Sequence, residues 1–266
     1  DGYILTNSHT PETINISGTK IWNDKDNQDG KRPTSITMYL MKGTEVVKTG
    51  KVTAKDGWTY EFTNLPKYEN GEEINYTIFE DEVTDYSTEN DGYDLTNTHT
   101  PGKTSISVTK AWEDAQDQDG KRPDTVEVVL TADGKETEQK VTLNAENNWT
   151  ANFTDLDEYK TGKLISYGVK EISVSDYEVT ITEVQEGNFV VTNAHEPEVT
   201  EISGTKTWDD NDNQDGKRPE SITINLLANG KWITSKKVTA EDGWSWKFEN
   251  LDKFAAGEEI IYSVVE

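Results

Sequence analysis

The sequence predicts an all-β protein made of tandem β-sandwiches, and three observations lead to this prediction. Short runs in which Thr, Val, Ile and aromatic residues alternate with polar residues recur along the chain, as they do in half-buried strands. Gly, Asn and Asp turns separate these runs, and no window shows a helical period. The whole pattern repeats at periods of 90 and 96 residues, which matches the size of a small sandwich domain.

The repeats divide the chain into three modules and one separate strand. The modules cover residues 12–101, 102–197 and 198–266, and residues 1–11 repeat the last strand of module one as an orphan strand. Short joints that contain proline, which stops ladder pairing, predict a semi-rigid rod. In module one, alternating runs between turn residues predict strands at 14–22, 34–41, 45–53, 58–63, 74–80 and 93–98.

The composition limits the partners and cofactors of the chain. Its 266 residues carry a formal net charge of -25 and include no cysteine. The acidic residues are spread along the sequence and would repel phosphate groups, so we expect neither nucleic acid nor a membrane as a partner. Disulfides are excluded, no stretch of apolar residues is long enough to span a membrane, and no nucleotide fingerprint is present. We expect a soluble fragment without a cofactor.

Three residue types recur at fixed places in the repeat. A lysine lies in an early Thr-Lys-x-Trp strand, a glutamate follows it 60 or 61 residues later, and an asparagine lies in a Thr-Asn-x-His motif. The lysines are Lys20, Lys110 and Lys206, the glutamates are Glu80, Glu171 and Glu266, and the asparagines are Asn7, Asn97 and Asn193. Any one of these residues alone would be interpreted as a solvated edge or turn residue. Their joint recurrence beside aromatic residues favours a functional site.

The combination of T-K-x-W, Q-D-G-K-R-P, Y-x-x-x-E and x-T-N-x-H motifs resembles the B-type (CnaB) repeats of Gram-positive collagen adhesins, which form surface stalks and pilin modules. The resemblance implies an Ig-like, prealbumin-like sandwich and an extracellular place on the bacterial cell wall surface. It also implies a spontaneous isopeptide bond between the strand lysine and the last-strand asparagine, assisted by a buried acid. By position, the resemblance pairs Lys20 with Asn97 and Glu80, and Lys110 with Asn193 and Glu171.

The proposed chemistry is reasonable on physical grounds. Burial lowers the pKa of a lysine, so that a free amine can attack, and raises the pKa of a glutamate, so that a protonated Glu80 can hydrogen-bond the Asn97 side-chain carbonyl. The acid relays a proton and ammonia leaves, in a single turnover on the protein itself. The bond would close a loop of 77 residues, which in the chain-entropy picture is worth roughly 4 kcal/mol.

Module three has a lysine and a glutamate but no asparagine after them, whereas Asn7 has no lysine before it. We expect the Asn7 strand of one copy to complete module three of another copy, beside Lys206 and Glu266, by strand complementation. The contact is heterologous and propagates into a filament unless the ends close a ring. A split of this kind indicates a designed chain that polymerises covalently. The alternative is a trimmed natural fragment with a frayed end.

Other recurring residues carry weaker signals. The acidic loops around Asp24 and Asp210 resemble calcium loops in composition, but Ser35 and Ser221 stand where an EF-hand requires glutamate, so we expect no metal site. The histidines that follow each asparagine lack cysteine companions, and strand-end packing explains them better than zinc. These histidines are His9, His99 and His195. A tryptophan after a turn in each module indicates core rather than a carbohydrate platform, at Trp58, Trp149 and Trp244.

The sequence therefore predicts a structural stalk or spacer and no enzyme with conventional turnover. A ligand-binding adhesive module for host extracellular matrix is the alternative, but the evenly acidic repeat shows no distinctive groove. A hydrolase would need a substrate-facing pair of acids, and no motif marks one.

Overall fold

The computed structural model describes residues 2–266, and strands dominate this part of the chain. The single helical element among these residues is a 3-10 turn at Ala54–Asp56, and none of them forms a helix that could cross a membrane. The prediction of an all-β chain is confirmed. The chain divides into two compact units. One runs to Thr104 and includes Asp155–Ser166, and the other comprises Ser105–Thr154 and Tyr167–Glu266.

Module one contains nine strands. They are β1 Thr13–Asn23, β2 Ser35–Lys42, β3 Glu45–Thr53, β4 Thr59–Pro66, β5 Tyr68–Glu69, β6 Glu72–Glu73, β7 Tyr76–Glu80, β8 Ser87–Asp91 and β9 Asp94–Thr98. All six predicted strands are present, with ends that differ by up to three residues. The sequence did not predict β8, because all five of its residues are polar and exposed and no alternation marks it.

Two sheets of module one enclose its core. One sheet has the strand order β4-β1-β9-β8, and the other has the order β3-β2-β7. The buried residues Met38, Leu40, Ile78 and Leu95 belong to one apolar cluster between them. The first strand β1 runs parallel to the last strand β9, and Lys20 lies opposite Leu95 in this pair.

Module two repeats this arrangement. Its strands are β10 Lys103–Glu113, β11 Thr125–Ala132, β12 Lys135–Asn144, β13 Thr150–Asp157, β14 Tyr159–Lys160, β15 Lys163–Leu164, β16 Tyr167–Glu171, β17 Glu178–Gln185 and β18 Asn188–Ala194. The sheet orders are β13-β10-β18-β17 and β12-β11-β16. The strands β10 and β18 are parallel, with Lys110 opposite Val191 and Trp112 opposite Asn193.

Module three contains seven strands. They are β19 Val199–Thr205, β20 Ser221–Ala228, β21 Lys231–Thr239, β22 Ser245–Asp252, β23 Phe254–Ala255, β24 Glu258–Glu259 and β25 Tyr262–Val265. The sheet orders are β19-β22 and β21-β20-β25, so β19 has no parallel neighbour among the described residues. Residues 2–12 lie outside any strand, and Tyr3, Ile4 and Leu5 are fully exposed. Residue 1, the first of the expected orphan strand, lies outside the described residues.

Candidate functional sites

The fold of module two brings the predicted lysine, glutamate and asparagine together. Lys110 and Asn193 lie on the parallel strands β10 and β18, offset by two residues, and therefore share a face of the sheet. Glu171 ends β16 in the opposite sheet, and all three side chains are buried. Glu171 Oε1 accepts a hydrogen bond from Asn193 Nδ2 at 2.8 Å, and Glu171 Oε2 lies 3.6 Å from Lys110 Nζ. The glutamate thus contacts both groups that would react.

Burial shifts Lys110 toward its neutral form, although the contacts of its amine favour the charged form. Its amine donates to the backbone carbonyl of Val191 at 3.2 Å and lies 4.0 Å from the centre of the Trp112 ring. Burial lowers the pKa of Lys110 to about 8, even though the charge and hydrogen bond of Glu171 act to raise it. About a tenth of this lysine is therefore a free amine at pH 7, far more than for a lysine in water.

A strained tryptophan anchors the lysine strand. Trp149 has φ +56°, a conformation that is rare for a bulky residue, and its carbonyl accepts the Lys110 backbone N–H at 2.8 Å. Its ring meets Trp112 edge to face, with centroids 5.3 Å apart. Trp58 and Trp244 have the same backbone conformation and bind Lys20 and Lys206 in the same way. The sequence identified these tryptophans as core but gave no sign of this anchoring.

Module one has the same three residues with one different contact. Lys20 Nζ lies 3.2 Å from Glu80 Oε2, both side chains are buried, and burial lowers the pKa of Lys20. Glu80 Oε1 accepts from the Thr88 hydroxyl at 3.1 Å, and no hydrogen bond joins Glu80 to Asn97. Thr88 belongs to the unpredicted strand β8, so the sequence offered no means to anticipate this partner.

The expected contact between acid and asparagine carbonyl is not the one observed. In module two, the acid meets the amide nitrogen. In module one, both polar atoms of Asn97 lack a hydrogen-bond partner among the described residues, although the side chain is 0% exposed. Asn193 Oδ1 is unpaired in the same way. Buried polar groups are rarely left unpaired, because each costs about 1–3 kcal/mol.

Module three holds two of its three predicted residues together. Lys206 Nζ donates to Glu266 Oε2 at 2.8 Å, but the two side chains are 29% and 45% exposed. The Lys206 amine lies 4.8 Å from the centre of the Trp208 ring. Asn7 is exposed in the segment without secondary structure. The pair in module three is therefore open to solvent at the place where the other modules have a last strand.

The acidic loop after the lysine strand is built around an ion pair. Asp24 accepts from Arg32 Nε at 3.0 Å, from Tyr86 Oη at 2.8 Å and from the backbone N–H of Asn27 at 2.9 Å. Burial acts to raise the pKa of Asp24, but the hydrogen bonds from Arg32, Asn27 and Tyr86 and the charge of Arg32 together outweigh it and hold the pKa at about 2. The residues 25–27 all have positive φ, between 49° and 59°. No cluster of three potential metal ligands occurs within residues 2–266.

The histidines at the strand ends also have defined partners. His99 contacts the ring of Tyr86 and pairs through Nε2 with Asp29 at 3.0 Å, and His195 pairs with Asp119 at 2.9 Å. His9 is exposed.

Comparisons with known proteins identify the family of this chain. The sequence model of the Cna protein B-type domain matches residues 16–98, 106–194 and 202–266. A collagen adhesin of Staphylococcus aureus is 49% identical over 264 residues, which are 99% of this chain and 22% of the adhesin. The crystal structure of two B repeat units of the Staphylococcus aureus collagen-binding protein is 47% identical, with a TM-score of 0.58. The match covers 95% of this chain and 68% of that one. This chain therefore belongs to the family of Cna protein B-type domains, of which it carries three copies.

Proposed function

We propose that this chain is a stalk segment of a bacterial cell-surface adhesin and that Lys–Asn isopeptide bonds stabilise its modules. The buried contact of Glu171 with both Lys110 and Asn193 carries the proposal. The relationship to a collagen adhesin supports a structural role, because a string of similar domains holds a binding region away from the cell. The chain spans 22% of that adhesin, so the role of the whole protein is part of the proposal.

The reaction follows from the positions of three groups in module two. The Lys110 ammonium gives a proton to Glu171, which leaves an amine and a protonated acid. The amine nitrogen attacks Asn193 Cγ and forms the new C–N bond, while Glu171 relays the proton lost by this nitrogen to Asn193 Nδ2. The Cγ–Nδ2 bond breaks and ammonia leaves. The proton that Glu171 first took from Lys110 leaves with the ammonia, and Glu171 is again a carboxylate. The observed contact of Glu171 with Nδ2 suits this relay.

The fold explains both why the two side chains would react quickly and why the bond would make the module resist a pulling force. Parallel strands hold amine and amide side by side, which replaces a bimolecular encounter by a high effective concentration. The two joined strands are the first and last of the module, so a pulling force enters through one and leaves through the other. A covalent bond between them prevents the sandwich from being pulled open.

Peptide mapping tests the bond directly. Trypsin should not cleave after a joined Lys110, and the digest should contain a branched peptide that carries both Lys110 and Asn193. The Asn193→Ala chain should instead release ordinary linear peptides from this region. Linear peptides from the parent chain, with cleavage after Lys110, would disprove the bond in module two.

We further propose that residues 2–11 of one copy complete module three of another copy. Nine of residues 1–11 are identical to residues 91–101, and the counterpart of the exposed Leu5 is Leu95, which is 0% exposed. Burying such a leucine is worth about 1.5–3 kcal/mol. In the register of β1 and β9, Leu5 would lie opposite Lys206 and Asn7 opposite Trp208. The open edge of β19 supports this arrangement.

A denaturing gel tests the exchange of strands. Boiled samples should show a ladder of multiples of 29.9 kDa. The Asn7→Ala chain should run as a single band, because it lacks the carboxamide but keeps both internal sites. A single band from the parent chain would refute the covalent exchange.

A further inference from the structure

A loop and a hairpin of successive modules meet in the first compact unit. The loop is Gln28–Pro33, and the hairpin comprises β14 and β15. Gly162 N donates to the Gln28 carbonyl at 2.9 Å. A Cβ added to Gly30 would lie 2.5 Å from Gly162 Cα, and both glycines have positive φ, of 71° and 75°. Glycine is therefore required on both sides of this contact, for backbone conformation and for space.

The second compact unit contains the same contact between other residues. Gly257 N, in the hairpin of β23 and β24, donates to the Gln118 carbonyl at 3.0 Å. A Cβ on Gly120 would lie 2.5 Å from Gly257 Cα. Because the geometry is reproduced at two places, the loop and the hairpin are a matched pair of surfaces rather than an accidental touch.

Polar groups fix this contact in the second unit. Asp119 accepts from the backbone N–H of Glu198 at 2.8 Å and pairs with His195. Glu198 itself accepts from Lys121 and from Lys253, each at 2.8 Å. These two lysines hold the pKa of Glu198 at about 2. In the first unit, Asp29 accepts from Gly102 N in the same way.

One loop and one hairpin of this type are unoccupied among residues 2–266. Gly216, in the loop Gln214–Pro219, has φ +61°, and Gly71, in the hairpin of β5 and β6, has φ +88°. Neither would meet an atom within 4 Å if a Cβ were added. Gln214, Asp215 and Lys217 line an open hollow of about 490 Å³. The glycine of each surface keeps the positive φ of its counterpart in the occupied contacts.

The residues beside the free hairpin match those of the second unit. Lys67 N donates to the Glu12 carbonyl at 3.0 Å, as Lys253 N does to Glu198 at 2.9 Å, so Glu12 is the structural counterpart of Glu198. Lys67 Nζ already lies 3.3 Å from the Glu12 carboxylate. His9 precedes Glu12 by three residues, as His195 precedes Glu198. The second lysine, the counterpart of Lys121, is missing beside Glu12, and Lys217 occupies that position in the free loop.

We infer that the Gln214–Pro219 loop of one copy docks on the Gly71 hairpin of a second copy. In this contact, Gly71 N donates to the Gln214 carbonyl, Asp215 accepts from Glu12 N and pairs with His9, and Lys217 binds the Glu12 carboxylate. The inference deepens the proposed strand exchange and rests on it, because His9 and Glu12 directly follow Asn7. It adds a non-covalent contact that holds module three of one copy against module one of the next.

Engineered cysteines test this contact, because the chain has none of its own. In the Asn7→Ala background, which removes the proposed covalent bond but keeps the strand, we combine Glu12→Cys with Lys217→Cys and add a mild thiol oxidant. We expect disulfide-linked multimers that disappear on reduction. Their level should be about tenfold that of a control in which Lys231→Cys replaces Lys217→Cys, because docking raises the effective concentration of the two thiols. Lys231 is an exposed lysine of the same module.

Glycine substitutions provide the second test. Asparagine tolerates positive φ, so Gly216→Asn should keep the loop folded while its side chain blocks the hairpin, and the disulfide-linked multimers should fall to the control level. Gly43→Asn, at an open turn with φ +59°, should leave them unchanged. Cross-linking no greater than in the Lys231→Cys control, or unaffected by Gly216→Asn, would overturn the inferred contact. The boil-resistant ladder of the parent chain is scored separately, so failure of the covalent exchange is distinguishable from failure of docking.

Discussion

Replacing Glu171 by glutamine should stop bond formation in module two while preserving the shape of the side chain. Glutamine cannot take the proton of Lys110 or deliver one to the leaving nitrogen. The Lys110 amine and the Asn193 amide would stay side by side but unjoined. The mass of each chain is compared with the value calculated from its own sequence. The deficit of the Glu171→Gln chain should be about 17 Da smaller than the deficit of the parent chain, because one ammonia is retained.

The stability of module two should fall by an amount that follows from its topology. The Lys110–Asn193 bond closes a loop of 83 residues, for which the chain-entropy relation gives about 4.5 kcal/mol. In a domain of this size, each kcal/mol shifts the melting temperature by about 4–8 °C, so the melting temperature of module two should fall by roughly 18–36 °C. Calorimetry measures this change, because modules one and three retain their own transitions.

Glu127→Gln is the matched control for this experiment. Glu127 lies on β11 next to Val128, the residue that pairs with Glu171. The Glu127 side chain is half-exposed, and its Oε2 lies 3.7 Å from Lys140 Nζ. An exposed pair contributes only about 0–1 kcal/mol, so the control should keep its bond and its melting temperature. The reasoning is refuted if Glu171→Gln retains the full loss of ammonia, or if its melting temperature equals that of the control.

Three further outcomes follow from the buried groups. In the unjoined Asn193→Ala chain, the folded-state pKa of Lys110 is about 8 and the unfolded value is 10.5, so the unfolded state binds more protons between them. Stability should rise from pH 8 to pH 10.5, as denaturant titrations would show, and a flat profile would contradict this. Asp114→Asn should destabilise module two by about 3–5 kcal/mol, because Arg122 loses a buried partner that it contacts at 2.6 Å; equilibrium unfolding measures this. The hydrogen bond that His195 donates to the Asp119 carboxylate raises the pKa of His195, so the stabilising contribution of this pair should be complete below the unfolded pKa and be lost as pH rises through the folded pKa. His195→Gln should remove that pH dependence in the same titration.

The recurrence of the residues and the family resemblance together predicted the cluster, which the structure brings together in module two, whereas in module one it joins the lysine and the glutamate only. Lys110, Glu171 and Asn193 are far apart in the chain, but their types and spacing recur in module one, and a repeated fold places repeated residues alike. Alternating apolar positions also predicted most strands. Both predictions rest on residue types that recur at fixed positions, and such a pattern arises where a side chain must be buried.

The parts that the sequence did not predict lack such a pattern. The edge strand β8 is entirely polar, so neither its pairing nor the contact of Thr88 with Glu80 could be anticipated. The left-handed Trp149 contradicts the usual preference of a bulky residue and is imposed by tertiary packing. The contact of Gly120 with Gly257 joins two turns that each look ordinary in sequence. The orientation of the Asn193 amide depends on local hydrogen bonding.

The intact mass of the folded Asn7→Ala chain tests the central claim most directly, since only the two internal sites can react in it. Each internal bond releases one ammonia, so the account predicts a mass about 34 Da below the calculated value. A mass equal to the calculated value would contradict it.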